Sequence, residues 1–172
     1  MLAVVHVLGS MLMLFSVTYA LPIATSLIYV DGHVIDFVVA ALANLGAGLL
    51  LCFLTRHRKR ELRSRDGFLL VTLAWVLMSA TATVPLLIAL PGLSFTDAFF
   101  ETMSGLSTTG ATVLVGLDHL APSLNLWRAA LHWYGGMGII VLVVAILPML
   151  GVGGMQLYKA ETPGPMKNDK LT

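Results

Sequence analysis

Charged residues are scarce in this sequence. Asp, Glu, Lys and Arg make up 11% of its 172 residues, whereas roughly a quarter of the residues of a soluble domain are charged. Apolar residues make up 58%, and the mean hydropathy is +0.90. This composition excludes an ordinary soluble domain and predicts an integral membrane protein. The only cysteine, Cys52, excludes an internal disulfide.

One short basic segment interrupts the apolar sequence, because six of the ten Lys and Arg residues lie within residues 56–65. It is too short to form a nucleic-acid-binding domain, so we expect no nucleic acid partner. Short cytoplasmic loops are enriched in Lys and Arg, and we interpret residues 56–66 as such a loop. Alternation from this loop places both termini in the cytoplasm and residues 91–125 outside, with Arg128 as a basic exception near the outer boundary.

Four apolar segments are long enough to cross a bilayer, which requires about 20 residues. They cover about residues 2–29, 35–55, 67–90 and 126–150. We therefore predict an all-α integral membrane fold with four transmembrane helices. Residues 1–55 would form a leading pair of helices, residues 67–154 a helix–pore loop–helix unit, and residues 155–172 a cytoplasmic tail or linker.

The connection between the third and fourth spans has the sequence of a short helix. Ser94 or Thr96 can cap it, and Asp97 lies in its first turn near the positive end of the dipole. Its apolar residues recur at helical spacing, at Phe99, Phe100, Met103 and Leu106. This helix is about half as long as a span requires. We predict a re-entrant pore helix over about residues 96–106, followed by a filter loop over residues 107–112.

The chemistry of residues 107–112 suits an ion path. Non-helical backbone at membrane depth is tolerated where it is buried in protein or lines an aqueous cavity. Backbone carbonyls can replace the hydration shell of a potassium ion, and Gly110 can adopt the positive φ that turns carbonyls toward one axis. The alternative is an ordinary extracellular loop whose Ser, Thr and Gly residues reflect turn chemistry.

Two acidic residues, Asp97 and Glu101, lie four apart on the predicted pore helix, a spacing that allows a metal site or an acid/base pair. We favour a capping role for Asp97 and an anchoring hydrogen bond from Glu101 behind the filter. The five histidines show no metal-ligand spacing, and we interpret His132 as a hydrogen-bonded helix residue. The sequence contains no recognisable nucleophile–base or metal constellation, so we predict neither enzymatic activity nor a cofactor.

The fourth predicted span carries small and aromatic residues with separate roles. Gly135, Gly136 and Gly138 would let this helix approach the hairpin closely. The aromatic residues near its outer end suit the belt at a membrane interface, and they are Trp127, Trp133 and Tyr134.

Ordered blocks of residues give a resemblance to a known family. Asp-Ala-Phe-Phe-Glu at residues 97–101 is followed by Ser-Gly-Leu-Ser-Thr-Thr-Gly-Ala-Thr at residues 104–112. A second block contains Gly-Gly-Met-Gly at residues 135–138 and Gly-Val-Gly-Gly at residues 151–154. Together they resemble the N-terminal portion of bacterial Trk-type potassium uptake proteins, over essentially the whole chain.

The resemblance implies that a leading helix pair is followed by four linked helix–pore loop–helix units around one potassium path. The filter carbonyls would come from Thr108, Thr109, Gly110 and Ala111, with potassium bound at Thr108 and Thr109. We assign supporting roles in the filter to Asp97, Glu101 and Gly105. Potassium is then the transported substrate, and symport with sodium or with protons is compatible with the resemblance.

The resemblance also implies partners and a location. We expect the chain in the bacterial inner membrane, beside a second transporter protomer and a cytoplasmic ring of nucleotide-binding regulatory subunits. Three of the four pore units have no counterpart here, so we expect a fragment of a longer protein. A homotetramer of single units, and a structural membrane subunit or inert fragment without transport activity of its own, are the alternatives.

Overall fold

The computed structural model describes residues 2–56 and 64–141, and the regular structure within these ranges is helical. Most of the predicted basic loop, the end of the predicted fourth span and the predicted tail lie outside the described residues. A short 3-10 turn covers Leu117–His119. The α-helices are α1 (Leu2–Thr18), α2 (Ala20–Tyr29), α3 (Val34–Thr55), α4 (Ser64–Ala82), α5 (Val84–Ala89), α6 (Phe95–Leu106) and α7 (Pro122–Val141).

Three helical stretches in the described part of the chain are long and apolar enough to cross a membrane. They are Leu2–Tyr29, which combines α1 and α2, Val34–Thr55, which is α3, and Asp66–Ala89, which combines α4 and α5. These bounds confirm the first three predicted spans to within a residue or two. The predicted fourth span begins inside α7 and continues beyond the described residues.

The junction between α4 and α5 is stabilised by a side chain from another span. Pro85 has no backbone N–H, so it cannot donate the helical hydrogen bond to the carbonyl of Thr81. The hydroxyl of Tyr19 donates to that carbonyl instead, at 3.1 Å. Tyr19 itself lies at the junction of α1 and α2. A residue at the irregular point of the first span therefore supplies the donor that the irregular point of the third span lacks.

Two glycines bring α1 and α3 into close contact. A Cβ built on Gly9 would lie 2.8 Å from the carbonyl oxygen of Gly48, and one built on Gly48 would lie 2.7 Å from that of Gly9. Small residues of this kind let helix backbones approach each other inside membranes. The buried amide of Asn44 adds a hydrogen bond to the carbonyl of Leu12, at 3.1 Å. The two helices of the leading pair therefore pack as one unit.

The core that joins this pair to the rest of the chain centres on Trp127 of α7, which is fully buried. Its ring stacks on Tyr19 with centroids 4.5 Å apart, and Phe15 and Phe37 pack around it. Its indole N–H donates to the carbonyl of Ala82 at 3.2 Å. The sequence-based placement of Trp127 in an interfacial belt is therefore wrong, because the side chain is a core residue that links three spans.

Candidate functional site

The helix α6 begins with a reciprocal cap. The hydroxyl of Ser94 accepts the backbone N–H of Asp97 at 3.1 Å and donates to the Asp97 carboxylate at 2.8 Å. The helix lies within one residue of the predicted range and has 12 residues. At 1.5 Å per residue it is about 18 Å long, well short of the ~30 Å hydrocarbon core. Asp97, which the sequence groups with the filter, lies at the opposite end of α6 from residues 107–112.

The carboxyl end of α6 is fixed by its two neighbours. The indole N–H of Trp75 in α4 donates to the carbonyl of Leu106 at 3.2 Å. A Cβ on Gly135 of α7 would lie 2.1 Å from that same carbonyl oxygen. A Cβ on Gly105 would lie 2.9 Å from the Cβ of Leu131. The close approach predicted for Gly135 is confirmed, and Gly105 contributes in the same way from the α6 side.

Residues 107–112 form an exposed loop that turns back beside α6. Thr108 has a φ of 60° and Gly110 a φ of 78°, so two residues of this loop occupy the left-handed region. The N–H of Thr109 donates to the carbonyl of Ser104 at 2.9 Å, and the hydroxyl of Ser104 donates to the carbonyl of Ala111 at 2.7 Å. The carbonyl of Ala111 thus accepts a hydrogen bond from α6, and its role as an ion ligand stays a prediction.

A buried carboxylate ties the far side of this loop to α6. Glu101 is 4% exposed, and it accepts the hydroxyl of Thr112 at 2.9 and 3.0 Å and the backbone N–H of Val113 at 3.1 Å. Its counter-ion is Arg128 of α7, whose Nε donates to Oε1 at 2.6 Å and which also forms the ion pair through its terminal nitrogen. The anchoring hydrogen bond predicted for Glu101 is present in the structure.

Arg128 also contacts the loop directly, because one terminal nitrogen donates to the hydroxyl of Thr112 at 3.2 Å. Its side chain is 13% exposed. Sequence reasoning treats Arg128 only as an exception to the charge rule and misses this role. The available signal is the combination of one basic residue near the outer boundary with an acidic residue on the apolar helix before it.

His132 lies one helical turn after Arg128, and its Nδ1 is 2.9 Å from the carbonyl of Arg128. This bond confirms that His132 is a hydrogen-bonded helix residue. Its Nε2 would lie 3.9 Å from a Cβ on Gly110, so the ring stands behind the loop. In residues 2–56 and 64–141, no group of three or more His, Cys, Asp and Glu side chains is placed to hold a metal ion.

A second carboxylate, Asp31, lies in the turn between α2 and α3. It accepts hydrogen bonds from the hydroxyl of Ser26, from the N–H of His33 at 3.3 Å and from the N–H of Ser123 at 3.0 Å. Partial burial by itself would raise the pKa of Asp31, but the hydrogen bonds from Ser26, Ser123 and His33 outweigh it and lower the pKa to about 2. Asp31 is therefore ionised across the physiological pH range.

Three apolar spans and a short helix that carries an exposed, internally anchored loop define a helical membrane protein. A family model described as "TrkH: Cation transport protein" matches residues 33–172. The chain is 51% identical over 99% of its length to the Trk system potassium uptake protein TrkH of Vibrio parahaemolyticus. It is 49% identical over 98% of its length to TrkH of Escherichia coli strain K12.

A solved structure of a relative has the same fold as this chain. The crystal structure of the potassium transporter TrkH from Vibrio parahaemolyticus matches 92% of this chain with a TM-score of 0.82 and 47% sequence identity. The chain belongs to the TrkH family of cation transport proteins, whose relatives here are named as transporters rather than enzymes. It spans 35% of the length of the curated relatives and of the solved structure that it matches.

Proposed function

We propose that this chain contributes one of four selectivity-filter hairpins to a Trk-type potassium uptake protein of the bacterial inner membrane. The relatives named as potassium uptake proteins support this proposal at 49–51% identity. In it, α6 is a re-entrant pore helix, α7 begins the fourth span, and residues 107–112 face the ion. The second protomer and the cytoplasmic regulatory ring are supported by the family resemblance alone.

The backbone of the loop supports carbonyl coordination. In an extended strand, successive carbonyls point to opposite sides. Positive φ at Thr108 and Gly110, with Thr109 between them, departs from extended backbone, and in the proposed filter it would let neighbouring carbonyls share one side. We assign the ion ligands to the carbonyls of Thr108, Thr109 and Gly110. The carboxyl end of α6, which carries a partial negative charge, points into the same region and favours a cation.

The single observation that carries the proposal is the ion pair between the buried Glu101 and the largely buried Arg128. It binds the hydroxyl of Thr112 and the N–H of Val113 at the end of the loop. An ordinary surface turn has no need of a buried charge pair, which is expensive to desolvate. Here the pair fixes Thr112 and Val113 against α6, while residues 107–111 stay exposed.

The distribution of basic residues in the sequence supports an orientation in which the loop of residues 107–112 faces the outside of the membrane. Arg56 and the basic residues after it would lie in the cytoplasm, which puts the turn with Asp31 and the loop of residues 107–112 on the outer side. Potassium would then meet the filter from outside, consistent with uptake. An extracellular signal from a reporter fused after Thr172 would refute this orientation.

The test uses a hybrid transporter, which is TrkH of Vibrio parahaemolyticus with the segment matching this chain replaced by it. Gly110→Ala places a side chain on a left-handed residue, at a cost of about 1–2 kcal/mol. Carried into the ion site, that strain corresponds to roughly a tenfold change in relative ion affinity. We expect the preference for potassium over sodium to fall by about this factor in uptake assays with cells that lack other potassium uptake systems.

Gly92→Ala is the matched control, since Gly92 also has positive φ, at 110°, and no atom lies within 4 Å of its built Cβ. It also places a side chain at positive φ, but outside the loop, so its ion preference should equal that of the unmodified hybrid. Equal selectivity in the Gly110 and Gly92 variants would count against the filter assignment.

The 172-residue chain by itself provides a second test. One hairpin supplies about a quarter of an ion's coordination shell in the proposed arrangement, so the purified chain in lipid vesicles should give no potassium flux above that of empty vesicles. A potassium-selective flux from the chain alone would support a homotetramer of single units instead.

A further inference from the structure

The helix α7 presents two neighbouring faces to two different parts of the molecule. Ser123 and Trp127 lie four residues apart and therefore share one face. Arg128 is the next residue, about 100° further around the helix. The first face contacts the leading pair α1–α3, and the second contacts the loop of residues 107–112. One rigid helix thus joins two regions that have no short connection in sequence.

The contacts of the first face are specific. The carboxylate of Asp31 accepts the N–H of Ser123 at 3.0 Å, across 92 positions of sequence. Ser123 is in the first turn of α7, where backbone N–H groups have no partner within the helix, so Asp31 acts as a cap supplied by the turn between α2 and α3. One turn later, Trp127 is enclosed by Phe15, Tyr19 and Phe37. The outer end of α7 is therefore held by the leading pair.

The contacts of the second face begin within a few residues of the first. Arg128 lies five positions after Ser123, about 7.5 Å along the axis. It holds Glu101 and Thr112 together through its Nε and a terminal nitrogen. A helix transmits a tilt or rotation of its end over such a distance with little loss. A change in the contacts between the leading pair and α7 is therefore expected to move the guanidinium of Arg128, which anchors the loop.

We propose that the leading helix pair sets the geometry of the ion filter through α7, with Asp31 as the positioning residue. Asp31 acts through Ser123 on α7, and Arg128 passes the position of α7 to Glu101 and Thr112. This inference rests on the proposed filter role of residues 107–112 and adds a selectivity-determining residue outside the pore unit. It assigns to the leading pair a role in ion discrimination besides membrane anchoring.

The test is Asp31→Ala in the hybrid transporter, with potassium and sodium uptake and the amount of protein in the membrane all measured. Residues along a coupling route typically alter the coupled property by a few-fold to about tenfold. We expect the potassium preference to fall by about threefold to tenfold while the amount of protein in the membrane changes little. Asp31→Asn keeps an acceptor oxygen for Ser123 and should give a smaller loss.

Asp36→Ala is the matched control, because Asp36 is a carboxylate at the same end of the leading pair that pairs with His33 rather than with α7. It should retain the ion preference of the unmodified hybrid. A purely stabilising role for Asp31 would lower the amount of protein and the uptake rate with no change in preference, and that result would overturn the proposal. An equal loss of preference in the Asp36 variant would overturn it as well.

A double change tests the route. If Arg128 transmits the effect, Asp31→Ala should alter the ion preference of an Arg128→Lys hybrid by less than twofold, since residues on one route are not additive. Fully additive losses would show that Asp31 acts by another path and would overturn the assignment.

The Gly110 variant separates the two proposals. If Gly110→Ala alters ion selectivity and Asp31→Ala does not, only the role of Asp31 is refuted. If neither variant alters selectivity, the filter assignment of residues 107–112 is refuted.

Discussion

Glu101→Gln in the hybrid transporter is expected to abolish most potassium selectivity and to reduce uptake at least tenfold. The substitution keeps the size of the side chain but removes the charge that pairs with Arg128. Leaving one member of a fully buried ion pair without its counter-charge costs about 3–5 kcal/mol, and the cost is smaller here because the Arg128 side chain is 13% exposed. Glu101 accepts the hydrogen bonds from Thr112 and Val113 that hold the end of the loop. We therefore expect the loss of the ion pair to displace the loop.

Asp97→Asn is the control for this prediction, since Asp97 lies one turn earlier on α6 and interacts with Ser94. It should change the helix start without changing ion preference. The double change Glu101→Gln with Arg128→Gln leaves no uncompensated buried charge, and it should recover part of the uptake lost in the single variant. If Glu101→Gln and Asp97→Asn behave alike, the ion pair does not anchor the filter. Ratios of rubidium to sodium uptake provide the measurement.

Gly135→Ala is expected to have the second large effect, on folding rather than on selectivity. The added Cβ would lie 2.1 Å from the carbonyl oxygen of Leu106 and 2.7 Å from its carbonyl carbon. Both partners are backbone, so no side-chain rotation relieves the contact, and α7 must move away from the end of α6. Overpacking of this kind costs about 1–3 kcal/mol or more. We expect a clearly lower midpoint of thermal unfolding in detergent and less hybrid protein in the membrane.

Gly46→Ala is the matched control, because Gly46 is also helical, in α3, and no atom lies within 4 Å of its built Cβ. Alanine is the better helix former by about 1 kcal/mol, so this variant should be as stable as the unmodified protein or more stable. A thermal midpoint for Gly135→Ala equal to that of Gly46→Ala would contradict the close approach of α6 and α7.

Much of the fold follows from local sequence. The lengths of the apolar segments predict the spans, because the thickness of the hydrocarbon core imposes a minimum length. The range of α6 follows from Ser94, which caps it, and from the helical spacing of its apolar residues. The positive φ of Gly110 and the close approach of Gly135 follow from the lack of a side chain at these positions. Each of these inferences depends on residues close together in the chain.

The remaining features depend on pairing across long stretches of sequence. Arg128 meets Glu101 across 27 positions, and Asp31 meets Ser123 across 92. A single sequence shows that each charged residue needs a partner but does not show which partner it finds. Trp127 fits either a membrane interface or a core by residue type, and the packing of Tyr19 against it decides for the core. The hydrogen bond from Ser104 to Ala111 is equally invisible in the residue pattern.

The anchor of the loop has a consequence for how the protein is made. Chains are synthesised from the amino terminus, so the loop and Glu101 leave the ribosome before Arg128 does. During that interval the carboxylate of Glu101 lacks its counter-charge, and the loop lacks the contact that holds it against α6. Arg128 completes the ion pair when it is synthesised, and by then the leading pair that packs against α7 has already been made. The leading helix pair is therefore synthesised first, the loop of residues 107–112 second, and Arg128, which anchors the loop, last.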